Sequence, residues 1–255
     1  MTAEHEVRVI WDVPPEVVVY DRPGECAYLP DHTWRLPLRL PVRPLSRVEL
    51  DNRLAVGDRR QGRTLYRPRC PGCQACEAIR VDVERFVPGR TQRRVLRHGR
   101  NLIESEFGPV VSDPERVWLY NRHKRERGLA LREDDATVEL YRLVFGETCC
   151  DSFEIRYHVD GELIGVAITD RGETALSAVY TYYDPDLASL SPGVFSILRQ
   201  IELCREWGLR HLYLGLYVAG CPSMQYKARY LPHERLIDGQ WRELTRGEMT
   251  ARRVS

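Results

Sequence analysis

Lysine is nearly missing from this chain of 255 residues: of 38 basic side chains only Lys124 and Lys227 are lysines, and the rest are arginines. A continuous apolar run of about 18 residues is also missing, which excludes a transmembrane helix. The opening stretch, MTAEHEVRVIWDV, lacks a basic segment followed by an apolar one, so no secretory signal is expected. Three catalytic signatures are absent: a Ser-His-Asp order, a G-x-x-x-x-G-K-[ST] phosphate loop and an H-E-x-x-H zinc motif. Net charge is only +1, so global charge selects no partner. A soluble, cytoplasmic protein is the expectation. Eight cysteines in a reducing compartment then read as free thiols or metal ligands rather than disulfides.

What is there is globular: 43% hydrophobic and 29% charged residues, in a length that suits one large domain or two small ones. The charge is unevenly spread. Residues 35–101 hold 17 arginines against 6 acidic residues, a local +11 that the other residues offset with −10. Such asymmetry points to a polyanion near the N-terminal half.

Residues 1–34 read as irregular, with Pro14, Pro15, Pro23 and Pro30. Residues 35–48 alternate Arg, Leu and Pro and read as an extended or edge segment. Ala78 to Val83 alternates like a short strand. Thr91 is placed to cap a basic helix to about Phe107, and Asp113-Pro114 to open one ending near Gly128. A short helix fits Ala136 to Phe145. From residue 151 the period changes to two. Asp160-Gly161 marks a hairpin turn, and Ala175 to Tyr183 is a third strand. Ser191-Pro192 opens a helix to Trp207, His211 to Val218 is a strand, and a short helix spans about Ser223 to Tyr230. Strands, helix, strand and helix in this order describe an α+β domain. The boundary is placed at 105, giving a cysteine-bearing, Arg-rich region (1–105) and a second domain (106–255).

Cys70, Cys73 and Cys76 form C-x2-C-x2-C, a spacing common in iron–sulfur sites that take one distant fourth cysteine. Cys26, in another Pro/Gly-flanked segment, is the candidate fourth ligand. Zinc and unligated thiols are the alternatives. Arg90, Arg93, Arg94 and Arg97 outnumber the local acids and suit a phosphate backbone. Tyr180 and Tyr182 alternate onto one strand face, followed by Asp184. Lys227 stands out in a chain that otherwise uses arginine, and a compact ammonium fits a carboxylate or phosphate site.

Six stretches together carry a family resemblance: Cys26 to Leu29, Gly57 to Cys76, Arg90 to Arg94, Leu176 to Pro185, Phe195 to Leu198, and Tyr213 to Gly215 followed by Met224 to Arg229. The chain resembles the bacterial aspartate/glutamate leucyltransferases, relatives of the eukaryotic arginyl-tRNA–protein transferases. It departs from them at Ala78 and Asp82, where relatives tend to have proline, and at Ser191-Pro-Gly193. The resemblance implies a GNAT-like catalytic domain and a place in the N-degron pathway. It implies aminoacyl-tRNA as donor and proteins or peptides with N-terminal Asp or Glu as acceptors. Tyr180, Tyr182 and Asp184 are then candidate catalytic residues, Lys227, Arg229, Arg60 and Arg63 candidates for the acceptor, and the four arginines of residues 90–97 candidates for tRNA. The turn from Asp184 to Pro192 begins with carboxylates and makes a poor pyrophosphate cradle, so CoA is not expected. Arginyl transfer, a non-catalytic RNA-binding protein with a metal knuckle, and a CoA-dependent N-acetyltransferase are the competing readings.

Overall fold

The computed structural model describes residues 8–128 and 135–245. The N-terminal part builds a five-stranded sheet from β1 (Val9–Ile10), β2 (Glu16–Tyr20), β5 (Leu38–Pro41), β6 (Arg59–Gln61) and β7 (Thr64–Tyr66), in the order β1-β2-β5-β7-β6. Strands β3 (Pro23–Glu25) and β4 (Thr33–Arg35) pair separately. The Arg-Leu-Pro segment expected at an edge is therefore central. The reason lies in which alternate residue faces inward. Arg39 is buried, and it donates to both Glu16 (2.8 Å) and Asp58 (2.6 Å). Paired in this way, an arginine substitutes for an apolar residue.

Helix α1 (Arg47–Ala55) was not legible from hydrophobic period, yet its start signal is explicit. Ser46 Oγ accepts from the Glu49 amide and Glu49 accepts from the Ser46 amide, a reciprocal capping box.

Eight further strands form the main sheet: β8 (Glu77–Asp82), β9 (Glu104–Gly108), β10 (Ser152–Val159), β11 (Glu162–Arg171), β12 (Ala175–Tyr183), β13 (His211–Tyr217), β14 (His233–Ile237) and β15 (Gln240–Leu244). Their order is β15-β14-β8-β13-β12-β11-β10-β9, antiparallel throughout except for β12 with β13. The hairpin at Asp160 (φ 52°) and Gly161 (φ 83°) has the two left-handed residues of a primed turn. Four helices follow the sheet: α2 (Arg90–Leu102), α3 (Pro114–Glu126), α4 (Val138–Tyr141), which runs on as a π-helical turn Arg142–Gly146, and α5 (Pro192–Glu206). Helix α2 starts two residues before the expected cap, at Gly89, whose amide donates to Gln92 Oε1. Ser191 does precede α5, but with φ 56° and no side-chain cap.

The core lies between this sheet and its helices, where Ile79, Val81, Leu176, Leu212 and Phe195 are buried together. Helices α2 and α5 touch closely: a Cβ on Gly99 would fall 2.3 Å from the Phe195 ring. The α+β, GNAT-like expectation fits this architecture. The division at residue 105 does not match the sheets. Strand β8 precedes that point, yet it sits between β14 and β13 in the C-terminal sheet.

Candidate active site

Strands β12 and β13 pair in parallel only from Ala175–His211 to Ser177–Tyr213. Beyond that, no ladder joins them, although they run on to Tyr183 and Tyr217. Bulges on both strands accompany the parting. Register slips where Ile168 faces Tyr180 and Thr169 faces Ala178, leaving Val179 extra. It slips again where Tyr213 faces Arg80 and Leu216 faces Ala78. Gly215 in the second bulge has φ +86°, a conformation in which a side chain is strained.

Two cations are hooked onto the two lips of this opening. Arg59 reaches from β6, where Tyr66 is its cross-strand partner, and its Nη2 lies 3.4 Å from the Ala178 carbonyl of β12. Lys227, on the 3-10 turn Pro222–Arg229, donates from Nζ to the Leu216 carbonyl of β13 at 2.7 Å. A Cβ on Gly215 would lie 3.3 Å from Arg59 Nη2 and 3.5 Å from Lys227 Nζ, so glycine keeps open the space between them. Arg59 is only 6% exposed and its Nη1 has no partner. Neither cation makes an ion pair with a carboxylate among the described residues. Burial lowers the Arg59 guanidinium; burial first, then the charge of Arg59, pushes the Lys227 ammonium down to about 7. Tyr66, Tyr180 and Tyr226 stand nearby, their hydroxyls all raised by burial. A buried guanidinium with an unused donor beside a half-buried ammonium makes a site for an anion, and a carboxylate matches the guanidinium fork.

The structure sorts the candidates named from sequence. Lys227 is in this site. Tyr180 is half-buried beside it, stacked edge-on with Tyr120 at 5.7 Å. Tyr182 is not available: it is fully buried, and its hydroxyl is 2.6 Å from that of Tyr141. Asp184 is occupied too, accepting from the Asp186 amide and pairing with Arg122 at 3.0 Å. Arg60 is neutralised by Asp170, with Nε 2.9 Å and 2.8 Å from the two carboxylate oxygens. Arg63 is exposed at the tip of the β6–β7 hairpin, and Arg229 is exposed at the end of the 3-10 turn. Arg90, Arg93, Arg94 and Arg97 are exposed on α2 and make no ion pairs among the described residues. Arg59 was missed, since nothing in an Arg-Arg pair says which member faces the opening. The pairing of Arg59 with Tyr66 decides it.

Cys26, Cys70, Cys73 and Cys76 are free thiols, all half-buried. Burial, reinforced by neighbouring Cys70, Cys26, Cys73 and Cys221, pushes the Cys76 thiol up to about 12. Cys70, Cys73 and Cys76 line a cleft of about 560 Å³ that also touches Arg67 and Leu216. Their donor chemistry suits iron–sulfur or zinc. In this arrangement they do not fit it: among the described residues no three His, Cys, Asp or Glu side chains are placed to hold a metal ion. No helix among the described residues is long and apolar enough to cross a membrane.

Comparison with known proteins gives the family. Residues 24–94 match the model of the arginine-tRNA-protein transferase N terminus, and residues 115–237 that of its C terminus. An aspartate/glutamate leucyltransferase of Pseudoalteromonas atlantica is 38% identical over 226 residues, covering 87% of this chain and 94% of the relative. One from Aeromonas hydrophila is 39% identical over 225 residues, covering 86% and 92%. Among solved structures, L-PGS from Bacillus licheniformis aligns with a TM-score of 0.47 at 13% identity, over 67% of this chain and 59% of that one. With both terminal models matched in order and more than a third of residues shared across nearly the whole length, this chain belongs to the family of aminoacyl-tRNA–protein transferases.

Proposed function

We propose that this protein transfers leucine from leucyl-tRNA to the N-terminal Asp or Glu of other proteins. The observation that supports it is the pair of unpaired cations, Arg59 and Lys227, at the parting of β12 and β13. A side-chain carboxylate of the acceptor supplies the missing charge. Its α-amine then attacks the ester carbonyl that joins the amino acid to the tRNA 3′ end. The C–N bond forms, the C–O bond to ribose breaks, and the ribose oxygen takes up a proton. An α-amine titrates near 8, so positioning and oxyanion stabilisation dominate over strong-base catalysis. The exposed arginines of α2 meet the tRNA backbone. The segment before α5 carries Asp184 and Asp186, both paired with Arg122, and offers no cradle for a CoA pyrophosphate. Such tagging places the protein in a cytoplasmic N-degron pathway.

The test is a transfer assay with a panel of labelled aminoacyl-tRNAs and peptides that differ only in their first residue. Leucine on Asp- and Glu-starting peptides is expected. Arginine as the preferred donor would overturn the leucyl assignment, and indifference to the first residue would overturn the acceptor site. An iron–sulfur or zinc site on Cys26, Cys70, Cys73 and Cys76 would require these thiols to move from their present positions. Anaerobically purified protein carrying neither iron nor zinc excludes such a site.

A further inference from the structure

Arg59, buried, and Lys227, half-buried, face one space, and neither makes an ion pair with a carboxylate among the described residues. Side by side in a poorly solvated site, the two cannot both be charged without penalty. Arginine keeps its proton. Lysine is the member that gives one up, and its Nζ still has the Leu216 carbonyl at 2.7 Å to receive an N–H. Among the other groups facing Nζ only Cys221 acts to raise its titration, and it ranks behind burial and Arg59. These groups are Met224 Sδ at 3.4 Å, the Tyr226 ring at 5.9 Å and Cys221, none of them a carboxylate. The lowered titration of Lys227 agrees with this placement.

An incoming carboxylate reverses the balance. It pairs with Arg59 and makes a second cation beside it favourable. In an N-terminal aspartate only Cα and Cβ separate that carboxylate from the α-nitrogen, which therefore arrives at the same place carrying a proton it must lose before it can attack. We propose that docking of the acceptor carboxylate on Arg59 moves a proton from the acceptor's α-ammonium to Lys227, so that reading the acidic residue and freeing the nucleophile are one event. The N–H bond of the ammonium breaks, an N–H bond forms at Nζ, and the lysine releases that proton to water when product leaves. A neutral first residue leaves Lys227 without its anionic partner, and the acceptor's amine then loses a proton only as its own titration at about 8 allows. This rests on the acceptor reading above.

Calorimetry separates the two. A peptide whose first residue is replaced by a succinyl group keeps the carboxylate and lacks the α-amine. Titrated into the intact protein at pH 8 in buffers of different ionisation enthalpy, it should bind with uptake of close to one proton. The matching Asp-starting peptide should bind with markedly less uptake, because it brings its own proton. Lys227→Met should abolish uptake. Lys227→Arg, permanently charged, should bind the succinyl peptide without uptake, and should lower kcat on the Asp-starting peptide by more than tenfold. Binding and leucylation of Asp-starting peptides with no proton uptake from the succinyl peptide would overturn the proton transfer and leave the acceptor site standing. Uptake that persists in Lys227→Met would also overturn it. Failure of wild type to leucylate Asp-starting peptides at all would overturn the acceptor reading itself.

Discussion

Arg59 and Arg60 are neighbours on one strand with opposite fates: Arg60 Nε grips both oxygens of Asp170, while Arg59 Nη1 has no hydrogen-bond partner among the described residues. Alternation on β6 turns one guanidinium toward the core and the other toward the opening. The two should respond oppositely to substitution.

Arg60→Ala strands Asp170 in a dry site and should cost about 3–5 kcal/mol, the range for breaking a buried pair. Arg59→Gln removes a buried charge that makes no ion pair among the described residues and whose burial opposes its charged form, and should leave stability equal or higher. Its kcat/KM on an Asp-starting peptide should fall more than tenfold, since losing one partner of a dry charge pair costs roughly 2–5 kcal/mol. Urea denaturation and transfer kinetics read the two effects separately. A destabilised but fully active Arg59→Gln would contradict the assignment.

Lys227 titrates near 7 in the folded chain, against 10.5 for an ordinary lysine. Between these values the unfolded chain binds more protons than the folded one, so this group makes stability rise with pH across that window. Wild type should gain stability relative to Lys227→Met between pH 7 and pH 9. Parallel urea midpoints for the two proteins would show that the amine is not buried as described.

The arginines of α2 should act on tRNA alone. Replacing Arg90, Arg93, Arg94 and Arg97 with Gln should weaken binding and flatten the log–log salt dependence by about 3, as four phosphate contacts are lost. Acceptor KM should not change. An unaltered slope would make α2 an ordinary solvated face.

Tyr182→Phe leaves the Tyr141 hydroxyl without its 2.6 Å partner and should destabilise by about 1–2 kcal/mol. With the variant kept folded, kcat/KM should stay within about twofold of wild type. A large loss of kcat would return Tyr182 to the reaction.

The C-terminal half was readable because its signals are local. Asp160-Gly161 sets a turn, Asp113-Pro114 starts a helix, and period-two strands follow one another. The N-terminal half hid its structure in ion pairs. Arg39 lay in a segment that reads as an edge, and only Glu16 and Asp58, distant in sequence, let it turn inward. The site divided in the same way. Lys227 stood out by rarity in an arginine-rich chain, whereas Tyr182 and Asp184 sat in a recognisable stretch and proved to be held by Tyr141 and Arg122. What set those partners was tertiary pairing, which no spacing encodes.

Strand β8 has a kinetic consequence. It is synthesised well before both of its neighbours, and its Arg80 waits for Glu234, 154 positions later. Until β13 and β14 emerge from the ribosome, β8 has two bare edges, protected only by the charges of Glu77, Arg80 and Asp82. Pairing over such separations is slow, because the intervening loop must close before any contact rewards it. The main sheet is therefore expected to close only once β13 and β14 are made, and a nascent chain halted before β13 should be the species most exposed to strand exchange with another copy.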